Sequence, residues 1–331
     1  MLEMIGVKRF LKRTLGILFI IFLVVSVVPY ALPTSNPAEY SVKNPFNESN
    51  YEIVDNTLIH YRQWPPQSSE LKGKIMMIHG MGGSSYSWLL TVQPLLEQGY
   101  MVVAVDLPGF GYSDRRQGIN HSQSSRSHMM WQLIDNVDKK LQGDSRLLQW
   151  YLVGHSMGGG TVAAMASDYP DKTKAVILVA GTLSENNSFQ YQTLLKYPPV
   201  RRWIEVGLYM VAIQPKRIES FLTSIYGRAP TESEMKGYLI PLKQPGTPST
   251  MIDLILTSKN EPLEELANSG VFVTGIWGSE DTWVPVSKAE KIRELIPGFE
   301  YRVIEGSSHC PMETHSYEFN RILADILDEN N

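Results

Sequence analysis

The chain has 331 residues, a formal net charge of −4, 43% hydrophobic residues and a single cysteine. This composition is typical of a globular protein, and a mildly acidic balance without a basic patch argues against nucleic acid as a partner. One cysteine excludes an intramolecular disulfide, and we interpret Cys310 as a small packing residue.

The first segment, residues 1–34, is predicted to anchor the protein in a membrane. Four cations precede an uncharged run from Thr14 to Pro33: Lys8, Arg9, Lys12 and Arg13. The run is about long enough to cross the hydrocarbon core as one helix. The basic flank predicts a single-pass protein with a cytoplasmic N-terminus and the following domain outside the cytoplasm. The alternative is a secreted protein whose signal is cleaved, although Pro29-Tyr30-Ala31 matches a cleavage site poorly.

A linker and one further domain are predicted to follow. Residues 35–50 are rich in Pro, Asn and Ser, which is typical of a tether. Residues 51–331 alternate helix-like stretches with apolar, strand-like runs at Lys74–Ile78, Met101–Asp106, Trp150–Gly154, Ala175–Ala180, Val271–Trp277 and Tyr301–Ile304. This pattern predicts a largely parallel sheet with helices on both faces. Residues 183–262 interrupt the alternation and are too numerous for a structureless loop.

A glycine-rich turn follows the first of these strands. It reads His79-Gly80-Met81-Gly82-Gly83 and precedes a helix predicted from about Ser85 to Glu97. Backbone N–H groups at such a turn can face a developing negative charge. The turn is therefore a candidate oxyanion hole, with the Met81 N–H as one donor.

A serine stands between the third strand and a stretch of small residues. The segment Gly154-His155-Ser156-Met157-Gly158 has the G-x-S-x-G pattern in a strand–turn–helix context. The glycines allow a sharp turn that exposes the hydroxyl, so Ser156 is a candidate nucleophile. The N–H of Met157, the residue after it, is the second candidate oxyanion donor. The alternative is an ordinary glycine-rich turn that carries a serine.

A serine nucleophile needs a base and a group that orients the base. The loop after Tyr301–Ile304 offers His309, whereas His315 is predicted to begin the C-terminal helix at the surface. The loop after Val271–Trp277 offers two adjacent carboxylates, Glu280 and Asp281. Either carboxylate at this strand end is able to accept the imidazole N–H and fix its tautomer.

Together these segments resemble the α/β-hydrolase superfamily, in its esterase, monoacylglycerol lipase and carbon–carbon hydrolase branch. The resemblance covers about residues 50–330 and includes the segment from Asp106 to Asp114, which reads D-x-P-G-x-G-x-S-D. It implies an α/β-hydrolase fold with an inserted helical cap at about 183–262 over the active site. It also implies that Ser156, Asp281 and His309 form a catalytic triad, with oxyanion donors at Met81 and Met157.

The expected function is hydrolysis of a carboxylic ester, apolar or lipidic, through an acyl-enzyme. Carbon–carbon bond hydrolysis on the same triad is an alternative, and a ligand receptor of the same fold with slow turnover is another. Haloalkane dehalogenases and epoxide hydrolases of this fold carry aspartate where this chain has Ser156, so the serine argues against both activities. The sequence has neither a metal-ligand cluster nor a dinucleotide fingerprint, so we expect no metal and no cofactor. The expected partners are a small ester or lipid substrate and the membrane.

Overall fold

A computed structural model describes residues 2–35, 45–68, 70–141, 148–183, 192–259 and 263–330. Eight strands form one sheet in the order β1-β2-β4-β3-β5-β6-β7-β8, and only β2 runs antiparallel to its neighbours. The strands are β1 Ser49–Val54, β2 Thr57–Trp64, β3 Gly73–Ile78, β4 Tyr100–Val105, β5 Trp150–His155, β6 Thr173–Val179, β7 Phe272–Gly278 and β8 Glu300–Ile304. The six strands expected from apolar runs are β3 to β8, so the α/β prediction is confirmed.

The hairpin β1–β2 was not predicted. Its turn residues Asp55 and Asn56 both have positive φ, 46° and 57°, as a two-residue hairpin turn of this hand requires. Strand β2 carries buried polar residues, His60 and Arg62, between its apolar ones. These side chains interrupt the apolar run that made the other strands visible in the sequence.

Helices cover both faces of the sheet. The helices of the described residues are α1 Leu2–Ala31, α2 Leu89–Glu97, α3 Gln123–Lys140, α4 Met157–Asp168, α5 Pro198–Gly207, α6 Pro215–Tyr226, α7 Glu232–Leu242, α8 Thr247–Thr257, α9 Leu263–Asn268, α10 Ser287–Leu295, α11 Pro311–Thr314 and α12 Ser316–Glu329. In β3, Ile75 and Met77 pack into one core cluster, whereas Met76 and Ile78 pack into the other. Successive side chains of a strand point to opposite faces, so a strand buried on both sides has a continuous apolar sequence.

Helices α5 to α8 lie within the segment where the sequence predicts a cap, and they are called the cap helices below; α9 follows them before β7. A short 3₁₀ helix, Gln192–Lys196, precedes them, and a π-helical turn, Leu208–Ala212, connects α5 to α6. Residues 184–191 and 260–262 of that segment, and residues 36–44 of the predicted linker, lie outside the described residues.

Helix α1 contains a stretch, Val7–Ala31, that is long and apolar enough to cross a membrane. Its C-terminal end contacts cap helix α5. The Arg202 side chain donates to the Pro29 and Leu32 carbonyls at 3.1 and 2.8 Å, and Trp203 Nε1 donates to the Val25 carbonyl at 2.8 Å. A cation at the C-terminus of a helix satisfies carbonyls that have no partner within the helix. The end of this apolar helix is thereby fixed to the cap.

Candidate active site

Ser156 lies on a strained turn between β5 and α4. Its φ is 49° and its ψ is −117°, a conformation that costs free energy for a residue with a side chain. The flanking glycines make the turn possible. A Cβ on Gly154 would lie 2.4 Å from the Gly158 carbonyl oxygen, and one on Gly158 would lie 2.4 Å from the Ile78 carbonyl oxygen. The G-x-S-x-G pattern is therefore required here by close approaches of the backbone.

His309 is paired with Asp281. Its Nδ1 lies 2.8 Å from Asp281 Oδ2, and both residues are buried. The other carboxylate oxygen, Oδ1, accepts the N–H groups of Trp283 and Val284 at 2.8 and 2.9 Å. Asp281 is therefore held as an acceptor, which places the imidazole proton on Nδ1 and leaves Nε2 as the basic nitrogen.

The competing residues lie elsewhere. Glu280, the neighbour of Asp281, is exposed, and its backbone N–H donates to the Ser307 carbonyl at 2.8 Å. His315 directly precedes α12, and its Nδ1 lies 3.1 Å from the Thr314 hydroxyl. Of the two carboxylates that the sequence left open, Asp281 is the one in contact with His309.

The predicted oxyanion donors flank Ser156. Gly80 packs directly against the elbow, because a Cβ there would lie 2.8 Å from His155 Nδ1 and 3.0 Å from Ser156 Cβ. Met81 follows it and is half exposed at the cavity, whereas Met157 is buried as the first residue of α4. The N-terminus of a helix presents unpaired N–H groups and the positive end of its dipole. This end of α4 is therefore suited to hold a negative charge next to Ser156.

Two histidines that the sequence analysis left without a role support these loops. His155 Nε2 donates to the His309 carbonyl at 2.9 Å, and burial, together with the nearby His309, lowers its pKa well below the usual range. His79 Nδ1 donates to the Gly80 carbonyl at 2.7 Å, while its Nε2 accepts the Leu107 N–H at 3.0 Å. Burial also lowers the pKa of His79. Both rings thus act as neutral, fixed hydrogen-bonding groups that connect the elbow to the neighbouring loops.

The Asp106 carboxylate, just past the end of β4, accepts hydrogen bonds from its own loop and from more distant segments of the chain. Its Oδ1 accepts the Ser85 N–H at 2.6 Å, and its Oδ2 accepts from the Tyr112 N–H at 2.8 Å and from His60 Nδ1 at 2.7 Å. Burial opposes ionisation, but His60 and the backbone donors outweigh it and lower the Asp106 pKa to about 2. The D-x-P-G-x-G-x-S segment therefore has a structural role: its carboxylate holds the start of a short 3₁₀ helix, Ser85–Trp88, that joins the glycine-rich turn after β3 to α2.

One cavity is lined by three of the predicted site residues, Ser156, His309 and Met81. Its lining includes Ser156, His309, Met81, Gly80 and Gly83 from the sheet side, and Phe221, Ile225 and Tyr238 from the cap. Trp283 closes another side, stacked on the His309 ring at a centroid distance of 6.1 Å. The cavity therefore has Ser156 and His309 on the side of the sheet and mostly apolar side chains on the side of the cap. Within the described ranges no group of three or more His, Cys, Asp or Glu side chains is arranged to hold a metal ion.

Comparison with known proteins agrees with this architecture. A family model described as alpha/beta hydrolase fold matches residues 74–202. A membrane phospholipase A, described as a bacterial virulence factor, superposes with a TM-score of 0.64 at 22% identity. That superposition covers 97% of this chain and 98% of the phospholipase chain.

Curated relatives include an acetyltransferase component and an esterase. The acetyltransferase component of an acetoin-cleaving system from Cupriavidus necator is 27% identical to this chain. The aligned region covers 75% of this chain and 62% of that relative's length. The pimeloyl-[acyl-carrier protein] methyl ester esterase of Neisseria meningitidis is 24% identical over 77% of this chain and 93% of the esterase. The esterase and the fold support hydrolase activity on a small molecule. The chain therefore has the α/β-hydrolase fold, and residues 74–202 match the model of that family.

Proposed function

We propose that the protein is a serine hydrolase that cleaves a carboxylic ester, with Ser156 as nucleophile, His309 as general base and Asp281 as the orienting acid. One observation carries the proposal. The 2.8 Å pair of His309 and Asp281 shares a cavity with a serine held at φ 49° on a strand-to-helix turn. A serine on a strained turn that shares a cavity with a base of fixed tautomer is the arrangement that nucleophilic catalysis needs.

The reaction proceeds in two steps. His309 Nε2 takes the proton of the Ser156 hydroxyl as Oγ attacks the ester carbonyl, and the N–H groups of Met81 and Met157 stabilise the oxyanion. Collapse of the tetrahedral intermediate breaks the C–O bond, and His309 gives its proton to the leaving alcohol. His309 then activates a water that attacks the acyl-enzyme, which releases the carboxylic acid and restores the Ser156 hydroxyl.

The cavity favours an apolar acyl group. Phe221, Ile225, Trp283 and Met81 present carbon surface around Ser156. No Arg or Lys is found among the described residues that line it. A diketone-like acid would bring a carboxylate that is costly to bury without a cationic partner, so the lining supports the ester. A lipidic ester such as a monoacylglycerol fits both this lining and the apolar helix α1.

Fluorophosphonate labelling and an ester chain-length panel test this function. The probe is expected to modify Ser156, mapped by mass spectrometry, and p-nitrophenyl esters of medium and long chains to be cleaved faster than the acetate. Ser87 lines the same cavity and serves as the internal comparison. A label on Ser87, or none on the folded protein, contradicts the nucleophile assignment. A carbon–carbon substrate that outperforms every ester contradicts the substrate class, and labelling without turnover indicates a receptor.

We also propose that α1 anchors the protein, with its cationic end in the cytoplasm and the catalytic domain outside. The protein is expected to stay in the membrane pellet under alkaline carbonate, and protease added to spheroplasts is expected to digest the catalytic domain. The orientation rests on the four cations that precede the apolar run of α1. The control is a chain that begins at residue 35, which should leave the pellet.

Two results contradict this topology. A soluble product that begins near residue 32 indicates a cleaved signal sequence. A catalytic domain that is protected from protease in intact spheroplasts indicates the reverse orientation. Neither result affects the chemistry, because the proposed nucleophile, acid and base all lie beyond residue 150.

A further inference from the structure

Glu313 is a buried carboxylate to which the proposed reaction gives no part. It lies on the short helix α11, four residues after His309, and only 7% of its surface is exposed. A buried carboxylate is costly unless several donors satisfy it. Its partners therefore indicate what the residue does.

Those partners are cap residues. Glu313 Oε2 accepts the Tyr226 hydroxyl at 2.7 Å, and Oε1 accepts the Tyr238 hydroxyl at 2.6 Å. Tyr226 is the last residue of α6 and Tyr238 lies in α7. The Ser87 hydroxyl, from the core, lies 3.1 Å from that of Tyr238. Burial raises the pKa of both tyrosines, so they stay protonated and act as donors. One carboxylate thus joins two cap helices to the catalytic domain.

The same contact reaches the proposed base and the substrate cavity. The backbone N–H of His309 donates to the backbone carbonyl of Ile225, the residue before Tyr226, at 2.9 Å. The side chains of Ile225 and Tyr238 line the cavity that contains Ser156. Movement of the ends of α6 and α7 therefore changes the cavity wall and the loop that carries His309.

We infer that Glu313 is a positioning residue whose ionised carboxylate holds cap helices α6 and α7 in the substrate-binding arrangement, and that its protonation loosens them. This inference rests on the proposed ester hydrolysis for its kinetic test. An ionised carboxylate accepts both tyrosine hydroxyls. A protonated one carries an O–H that must find an acceptor of its own, so the tyrosine bonded to that oxygen faces a donor and loses its charged acceptor.

The carboxyl is able to titrate near neutral pH. Burial raises its pKa to about 7, against the opposing hydrogen bonds from Tyr238, Tyr226 and Ser87. A groove lined in part by Leu90, Thr231 and Glu234 reaches Glu313 from the surface. The ionisable groups that interact with it or with its two tyrosine partners are Tyr86, Tyr226, Arg228, Glu234, Tyr238 and Cys310. Arg228 pairs with Glu234 at 2.7 Å, so it is engaged away from Glu313.

The test is the pH dependence of KM in Glu313→Gln, measured with a medium-chain p-nitrophenyl ester. Glutamine presents a donor group, its NH₂, at one position and an acceptor oxygen at the other, so it resembles the protonated acid and not the carboxylate. At pH 8 the KM of the variant is expected to exceed that of the wild type about tenfold, the effect of one hydrogen bond to a charged group. At pH 6, where the wild-type carboxyl is protonated, the ratio should approach one. The kcat should change less than the KM, because Glu313 contacts no reacting atom and reaches His309 only through the backbone bond to Ile225.

Tyr86→Phe is the matched control. Tyr86 bonds to Ser233 of α7 and not to Glu313, so any effect of this variant on KM should be the same at pH 6 and pH 8. Tyr226→Phe removes one donor from Glu313 and should repeat part of the pH-dependent change. If Glu313→Gln does not fold, as judged by circular dichroism, Tyr226→Phe carries the test alone.

Hydrogen–deuterium exchange at pH 8 separates this inference from the proposed function, because it needs no substrate. Amides of α6 and α7 are expected to exchange faster in Glu313→Gln than in the wild type, with those of α3 unchanged. Equal exchange in α6 and α7, or a KM ratio that is constant from pH 6 to pH 8, overturns the inference. A wild type that cleaves no ester contradicts the proposed function, and the exchange measurement then decides the role of Glu313.

Discussion

Ser156→Ala is expected to abolish ester hydrolysis while the protein remains folded. Loss of the nucleophile in a triad of this kind lowers kcat on the order of 10⁶-fold. Alanine keeps the Cβ, so the strained elbow at φ 49° meets no new contact. Only the hydroxyl disappears, and the packing of Gly80 and Gly158 around the turn is preserved.

The measurement is kcat with the best ester of the panel, beside circular dichroism and a thermal melt. Ser224→Ala is the control, because Ser224 is an exposed serine of α6 whose hydroxyl bonds only its own helix, at the Phe221 carbonyl. It should retain wild-type activity. Activity of Ser156→Ala within tenfold of the wild type would rule out Ser156 as the nucleophile.

The sequence predicts the sheet and the position of the site because both depend on local features. Strands β3 to β7 are largely buried on both faces and therefore stand out as apolar runs. The elbow is visible because its glycines meet backbone atoms, which leaves no room for any other residue. Each predicted site residue lies just past the end of a strand, where ligands bind in sheets of this type.

Contacts between distant parts of the chain explain what the sequence did not predict. Strand β2 was missed because His60 is buried inside it, and burial of that polar side chain depends on Asp106, 46 residues away. The contact of Arg202 and Trp203 with the end of α1 joins residues more than 160 positions apart. No periodicity or motif contains such pairings.

The same reason applies to the side chains around the site. His79 and His155 were part of the patterns quoted from the sequence, but their roles, like that of Glu313, depend on partners in other parts of the chain. A motif identifies residues that a turn requires, whereas the structure identifies the atoms that they contact. The choice between Glu280 and Asp281 also depends on a contact, because both are carboxylates in one loop after β7 and only Asp281 lies against His309.

Asp281→Asn is expected to lower kcat/KM far more than Glu280→Gln. In the serine protease precedent, the loss of the orienting acid costs about 10⁴-fold. The hydrogen bonds of Asp281 explain how the substitution lowers the activity. Its Oδ1 accepts two backbone N–H groups, from Trp283 and Val284, so an asparagine must keep its oxygen there and turn its NH₂ group toward His309.

That orientation reverses the imidazole tautomer. An NH₂ donor facing Nδ1 requires a lone pair on Nδ1, so the proton moves to Nε2 and no basic nitrogen remains for Ser156. Glu280→Gln changes an exposed side chain and keeps the backbone bond to Ser307, so its kcat/KM should stay within about twofold, as is usual for a surface substitution away from the site. Kinetics on one ester, with ¹⁵N chemical shifts of the His309 ring, measure both effects. If Glu280→Gln is the more damaging change, or if Asp281→Asn leaves the proton on Nδ1 at full activity, then Asp281 is not the orienting acid.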